Sequence, residues 1–187
     1  MIIFEHEGTE YKFRNNESEV TLLELAKVSD IMSTTDAYFE RWILVIDILG
    51  DKGLSDVIDD DGIISIVENA NFTNVKNEVP EVVNVNGREY KANLKEGKLK
   101  LSGKDLAMME RAAKKGGAWA VYGFAICYKD TDLSNTEHYT EAHIKHKADL
   151  FGKHLTAKEG APVFFQLQKK LSEHIEKLSH AHAKSVS

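Results

Sequence analysis

Apolar and polar positions alternate in two registers along this chain. Ile2-Ile3-Phe4 and Tyr11-Lys12-Phe13 flank a polar stretch containing Gly8, and Val82–Val85 and Tyr90–Ala92 flank another containing Gly87. Short runs around a glycine turn predict a β-hairpin at each place, and Lys98–Leu101 reads as a further strand. Between the hairpins the spacing changes to that of helices. Leu22, Leu23, Leu25, Ala26 and Ile31 supply a short helix, and Tyr38 to Leu49 a second one, apolar on more than one face and so expected to be the buried central helix. Gly50 ends it, and Ile63–Val67 suggests one more helix.

The second half repeats this order. HEGTEYKF, His6 to Phe13, aligns with VNGREYKA, Val85 to Ala92, at an offset of 79 residues between Tyr11 and Tyr90. Thr21-x-x-Glu24 and Ser102-x-x-Asp105 both have the spacing in which a cap hydroxyl and a carboxylate satisfy each other's backbone amides. Trp119–Tyr128 is a second apolar helix, and Leu54-Ser55 and Leu133-Ser134 follow the two apolar helices at the same offset of 79. The reading is a mostly helical α+β protein. A hairpin–helix module spans 1–70, an Asn-rich linker 71–81, and a second module with C-terminal helices 82–187. Ser134-x-x-Glu137 and Thr156-x-x-Glu159 predict a helix from about Glu137 to Phe151 and a turn at Ala157. Gly160-Ala161-Pro162 then separates that turn from a last helix. On that last helix Phe164, Leu167, Leu171, Ile175 and Leu178 form one apolar stripe, the candidate partner-binding face.

Composition narrows the function. A net charge of −6 argues against sequence-independent binding of a phosphate backbone, although Lys and Arg gather between Lys91 and Lys115. The single Cys127 lies in an apolar run and permits no intrachain disulfide. No basic region followed by an apolar stretch opens the chain, and no run approaches the ~20 residues that cross a bilayer, so a cytoplasmic protein without a signal peptide is expected.

Candidate chemistry is sparse. Val57–Glu68 places Asp59, Asp61 and Glu68 at three ligand positions of a calcium loop, but Val57 stands where the first carboxylate belongs. The same acidic residues suit the start of a helix. His143 and His146 share a helix face with Tyr139 and Leu150. They could converge on a metal, yet two imidazoles fall short of the three or four ligands of a zinc site, and packed histidines are the commoner outcome. No nucleophile elbow, phosphate loop or dinucleotide fingerprint is present, so no catalytic residue and no cofactor is expected.

Two stretches carry a resemblance. FEHEGTEYKF with TLLELAKVSDI and AYFERWILVIDIL is one, and EHYTEAHIKHKADLF with the apolar helix after it is the other. In these the chain resembles the tail assembly chaperones and baseplate-hub assembly proteins of tailed bacteriophages. The resemblance implies a non-enzymatic morphogenesis protein of the host cytoplasm, incorporated in the virion in some families. Its implied partners are other virion proteins or a tail or baseplate client, with a homo-oligomer as a further form and neither membrane nor nucleic acid among them. The alternatives are a small metal-binding enzyme on the His143/His146 helix and a nucleic-acid-binding adaptor.

Overall fold

The computed structural model describes residues 1–70, 78–114 and 119–185. Side-chain surroundings are described for all of these except Ala113, Asn135, Gln168, Leu171 and residues 174–185. Most of the expected linker, 71–77, therefore lies outside the described residues.

The chain is a mostly helical α+β protein. Strands β1 (Ile2–His6) and β2 (Thr9–Phe13) pair from Ile2↔Phe13 to His6↔Thr9. Their turn, Glu7-Gly8, has φ of 49° and 76°. Two consecutive positive φ values give the turn whose twist matches that of paired strands, and glycine takes the second without a Cβ clash. Helices α1 (Leu22–Thr34) and α2 (Tyr38–Leu49) follow, then α3 (Leu54–Val57) and α4 (Asp60–Asn69).

The second half opens with β3 (Val82–Val85) and β4 (Arg88–Ala92), closed by Asn86-Gly87 at φ of 51° and 76°. An additional hairpin comes next, β5 (Leu94–Lys95) and β6 (Lys98–Leu99), before α5 (Gly103–Ala113) and α6 (Trp119–Cys127). Strand β7 (Tyr128–Asp130) then leads to α7 (Asn135–His138), α8 (Glu141–His154) and α9 (Ala157–Ser185).

The likeness of the halves extends beyond the hairpins. Because β5–β6 also turns through Glu96-Gly97 at positive φ, the turn by itself is a reused device and no mark of a repeat. The order of connections is the stronger mark. In each half a capping box starts the first helix, Thr21 with Glu24 and Ser102 with Asp105. In each half the second helix leads the chain back antiparallel to the hairpin's second strand. The first half makes the Phe13↔Gly50 bridge there, and the second pairs β7 with β4 from Tyr90↔Asp130 to Ala92↔Tyr128. Leu54 N–H then donates to Asp51 O at 3.0 Å, and Leu133 N–H to Asp130 O at 3.4 Å. A four-residue helix and a longer helix with a side-chain cap follow in both, Asp59 capping α4 and Thr140 capping α8. Helices α7 and α8 thus correspond to α3 and α4, and the β5–β6 hairpin and α9 are the additions of the second half.

Three expectations change. The central helix is α6, with Ala120, Val121 and Gly123 to Cys127 buried, whereas α2 buries only Val45, Ile46 and Leu49 and leaves its start exposed. The expected helix over Glu137–Phe151 is broken at Tyr139-Thr140, where Thr140 caps a new start. Finally, α9 runs through Gly160-Ala161-Pro162 without interruption. Pro162 lies early enough in it that its missing N–H forfeits only one hydrogen bond near the helix start.

Two apolar cores result. One holds Phe13, Val20, Val28, Val45, Ile46, Leu49, Leu54, Ile63 and Ile66, together with Ala157 from α9. The other gathers around α6 with Tyr90, Phe151, Val163 and Leu167, and takes in Leu22 and Ala26 from α1. Helix α1 therefore belongs to both. Its start is tied to the start of α9 by reciprocal backbone bonds: Leu22 N–H to Leu155 O at 2.8 Å and Ala157 N–H to Val20 O at 2.7 Å. Lys158 N–H adds a third, to Glu17 O at 3.0 Å. Glycines permit this approach. A β-carbon at Gly160 would stand 2.3 Å from Leu22 Cδ1, and one at Gly152 would stand 3.2 Å from both Leu23 Cβ and Val121 Cγ1.

Gly160→Val should therefore lower the unfolding free energy by about 1–3 kcal/mol, since overpacking a closed contact displaces Leu22. Gly103→Ala, with nothing within 4 Å of the added carbon, is the control and should leave the denaturant midpoint unchanged or slightly raised.

Candidate functional site

The most chemically unusual group is Lys147, which is only 1% exposed. It sits on α8 among Ile144, Ala148 and Phe151, at a position where the helical spacing calls for an apolar residue. Its Nζ donates to Tyr128 O at 2.6 Å and to His138 Nδ1 at 3.1 Å. The His138 proton therefore resides on Nε2, which donates to Ile126 O at 3.2 Å. Burial brings the Lys147 ammonium down to about 7, with Asp130 and Cys127 acting in the opposite sense. Burial, followed by the Lys147 charge, brings His138 down to about 4.

Around this pair lie Asp130, which accepts from Asp132 N–H at 3.0 Å and pairs with Arg88 at 3.3 Å, and Asp105, which takes the Tyr139 hydroxyl. These are bonds that hold β7, α5, α7 and α8 together. A cavity of about 130 Å³, lined by Arg111 and Glu141 as well as by Met108, Ala112, Tyr122, Ile126, Tyr139 and Ile144, is smaller than the pockets that take drug-sized ligands. Lys147 is satisfied by a carbonyl and an imidazole, so it reads as structural. The sequence signal for it was available: Ile144, Ala148 and Phe151 define a stripe that runs through position 147.

The metal candidates are dispersed. Asp59 accepts from Gly62 N–H at 2.9 Å as the cap of α4, with Asp60 and Asp61 in the first turn. Residues 60–69 are helical, so Glu68 sits about 13 Å along the axis from Asp59 rather than closing a loop around an ion. The acidic residues take the helix-start alternative. On α8, His146 is exposed while His143 is half-buried. The His143 Nε2 is shielded and takes no protein hydrogen bond, and burial lowers its pKa. Among the described residues no three His, Cys, Asp or Glu side chains are grouped to hold a metal ion. The Cys127 thiol is buried, and that burial pushes its pKa up, away from nucleophilic use.

The expected partner stripe divides. Phe164 and Leu167 are buried in the protein's own core, Phe164 against the Trp119 ring at 5.4 Å and Leu167 over Gly123. For Leu171, Ile175 and Leu178 the side chains lie outside the described residues. Exposed apolar surface is found elsewhere. At the corner between α1 and α2, Met32 is 40% exposed and Tyr38 and Phe39 are each 53% exposed, flanked by Asp36 and Glu40. Beside α9 a groove of about 530 Å³ is lined by Lys98, Pro162, Phe165, Lys169, Lys170 and Glu173. Its floor is fixed by Gln166, whose Oε1 accepts from Leu99 N–H at 3.0 Å. Charge is distributed in the same sense. Residues 1–70 carry 16 Asp and Glu against five Lys and Arg, and the rest of the chain carries 14 against 19.

No described helix is long and apolar enough to cross a membrane. The buried pair sets a pH dependence. Exposed in the unfolded chain, Lys147 titrates at 10.5 and His138 at 6.5, so between each folded and unfolded value the unfolded chain binds the extra proton. Stability should therefore rise with pH from about 4 to 6.5 through His138, and again from about 7 to 10.5 through Lys147. Lys147→Met should abolish the upper limb and, by removing the charge beside His138, also narrow the lower one, as read from thermal midpoints across pH. Compared with family models, with curated proteins and with solved structures, the chain matches none of them.

Proposed function

We propose that this chain is a non-enzymatic morphogenesis protein of a tailed bacteriophage: a tail or baseplate assembly chaperone, or a small virion component, working in the host cytoplasm through protein–protein contacts. The observation that carries the reading is the corner between α1 and α2. Met32 in the last turn of α1 and Tyr38 and Phe39 at the start of α2, which has no side-chain cap, stand exposed there, in a half of the chain with more acidic than basic residues. Exposed aromatics cost solubility unless a partner covers them, and aromatic anchors supply most of the energy of protein interfaces. The surrounding carboxylates keep the free protein soluble and repel other acidic surfaces. The sequence resemblance to phage assembly proteins supplies the class of client, a hydrophobic virion polypeptide held until it is built in. The polar chemistry that is present, Lys147 with His138, is taken up in holding helices together.

Co-expression with tail and baseplate polypeptides of the same phage tests the reading. A client that is insoluble alone should become soluble with the wild-type chain and remain bound to it through purification. Phe39→Asp, at an exposed position, should keep its thermal midpoint and lose about 2 kcal/mol or more of client affinity. Client solubility that is the same with and without the chain would end this proposal.

A further inference from the structure

The two halves of the molecule differ in one consequential way. In the second half α9 covers the start of α6, where Trp119, the first residue of that helix, packs on Phe164. The first residue of α2, the matching helix of the first half, is Tyr38, and it is exposed together with Phe39. The first half contains no counterpart of α9. Helix α9 itself carries a second aromatic beside Phe164: Phe165, 48% exposed, with its ring 5.6 Å from that of Phe164. One ring therefore faces inward and receives the aromatic start of α6. Its neighbour faces the groove bordered by Lys98, Lys169 and Lys170.

We propose that the α1–α2 corner of one copy of this chain docks in the groove beside α9 of a second copy. Tyr38 and Phe39 then meet Phe165, and Asp36 and Glu40 meet Lys98, Lys169 and Lys170. The contact repeats between copies what Trp119 and Phe164 make within one. Tyr38, Phe39 and Phe165 are all exposed within a single chain and so open to a second copy. Their charges are complementary, apart from Glu173 at the groove's edge and Arg41, whose guanidinium is held on Thr35 O at the corner, and so are the charges of the halves that carry them. A contact between two different surfaces gives a two-fold dimer when both contacts form between the same two copies, and otherwise a ring or an open filament. The inference rests on the corner being a docking surface. It adds that, before a client arrives, a second copy occupies it.

Sedimentation of the purified full-length chain, without any client, tests this apart from the chaperone reading. The wild type should self-associate at low salt and dissociate as salt screens the exposed charges. Lys169→Glu with Lys170→Glu should weaken association by about tenfold or more, and Phe165→Ser should do the same without a charge change. Asp36→Lys with Glu40→Lys should weaken it alone and restore it when mixed with the Lys169→Glu/Lys170→Glu chain. A wild type that stays monomeric up to about 100 µM overturns the proposal. So does an oligomer that both groove variants leave unchanged, or a mixture of the two reversals that fails to associate. Client solubilisation by a monomeric chain would sink this inference and leave the chaperone reading standing. Self-association without client binding would do the reverse.

Discussion

Two helix starts lie side by side in this molecule, and the rest of the architecture depends on how they satisfy one another. A helix leaves its first N–H groups without partners. Here the first of α1, Leu22 N–H, finds Leu155 O just before α9, and the first of α9, Ala157 N–H, finds Val20 O just before α1. The capping carboxylates serve other donors, Glu24 the Thr21 N–H and hydroxyl, and Glu159 those of Thr156. Acidic groups also offset the positive ends of two adjacent helix dipoles. Once these bonds form, α1 must lie against α8 and α9, and the absence of side chains at Gly152 and Gly160 makes the contact possible. That is how a helix from the first hairpin module comes to belong to both cores.

The same joint explains where the exposed surface is. Because α9 starts at the joint and crosses α6, it closes the core of the second half, with Leu167 over Gly123 and Phe164 on Trp119. Among the described residues no equivalent helix crosses α2. The modules therefore share an order of connections but differ in completeness, and the aromatic start of α2 is left for a partner. Polar groups divide in the same way. Lys147, His138, Asp105 and Asp130 are buried and satisfied in the second half, whereas the carboxylates of the first half are mostly at the surface.

Local signals were read well from the residues. The glycine turns at Gly8 and Gly87, the capping boxes at Thr21, Ser102 and Ser134, and the helix stop at Gly50 are decided within a few bonds of the residues that specify them. The repeat was visible for the same reason, since it is an order of local signals. The candidate site was read less well. The apolar letters of α2 and α6 are alike, yet α6 is enclosed and α2 is half open, because that depends on whether a distant α9 arrives. Lys147 in an apolar stripe was a legible warning, but its partners Tyr128 and His138 come from elements 19 and nine residues away. The calcium-like letters around Asp61 are those of a well-started helix, and spacing alone does not separate a loop from a helix there.

The sequence by itself determined the class of this protein: mostly helical α+β, two hairpin-led modules in the same order, and acidic charge concentrated in the first. Those properties follow from turn chemistry, caps and periodicity, which act over one or two turns of chain. Only the tertiary structure decided that Phe164 and Leu167 are core rather than partner surface, and that Tyr38, Phe39 and Phe165 are left outside. Burial is a property of what packs on a residue, and Phe164 and Leu167 are packed by Trp119 and Gly123 of α6, more than forty residues away in the chain.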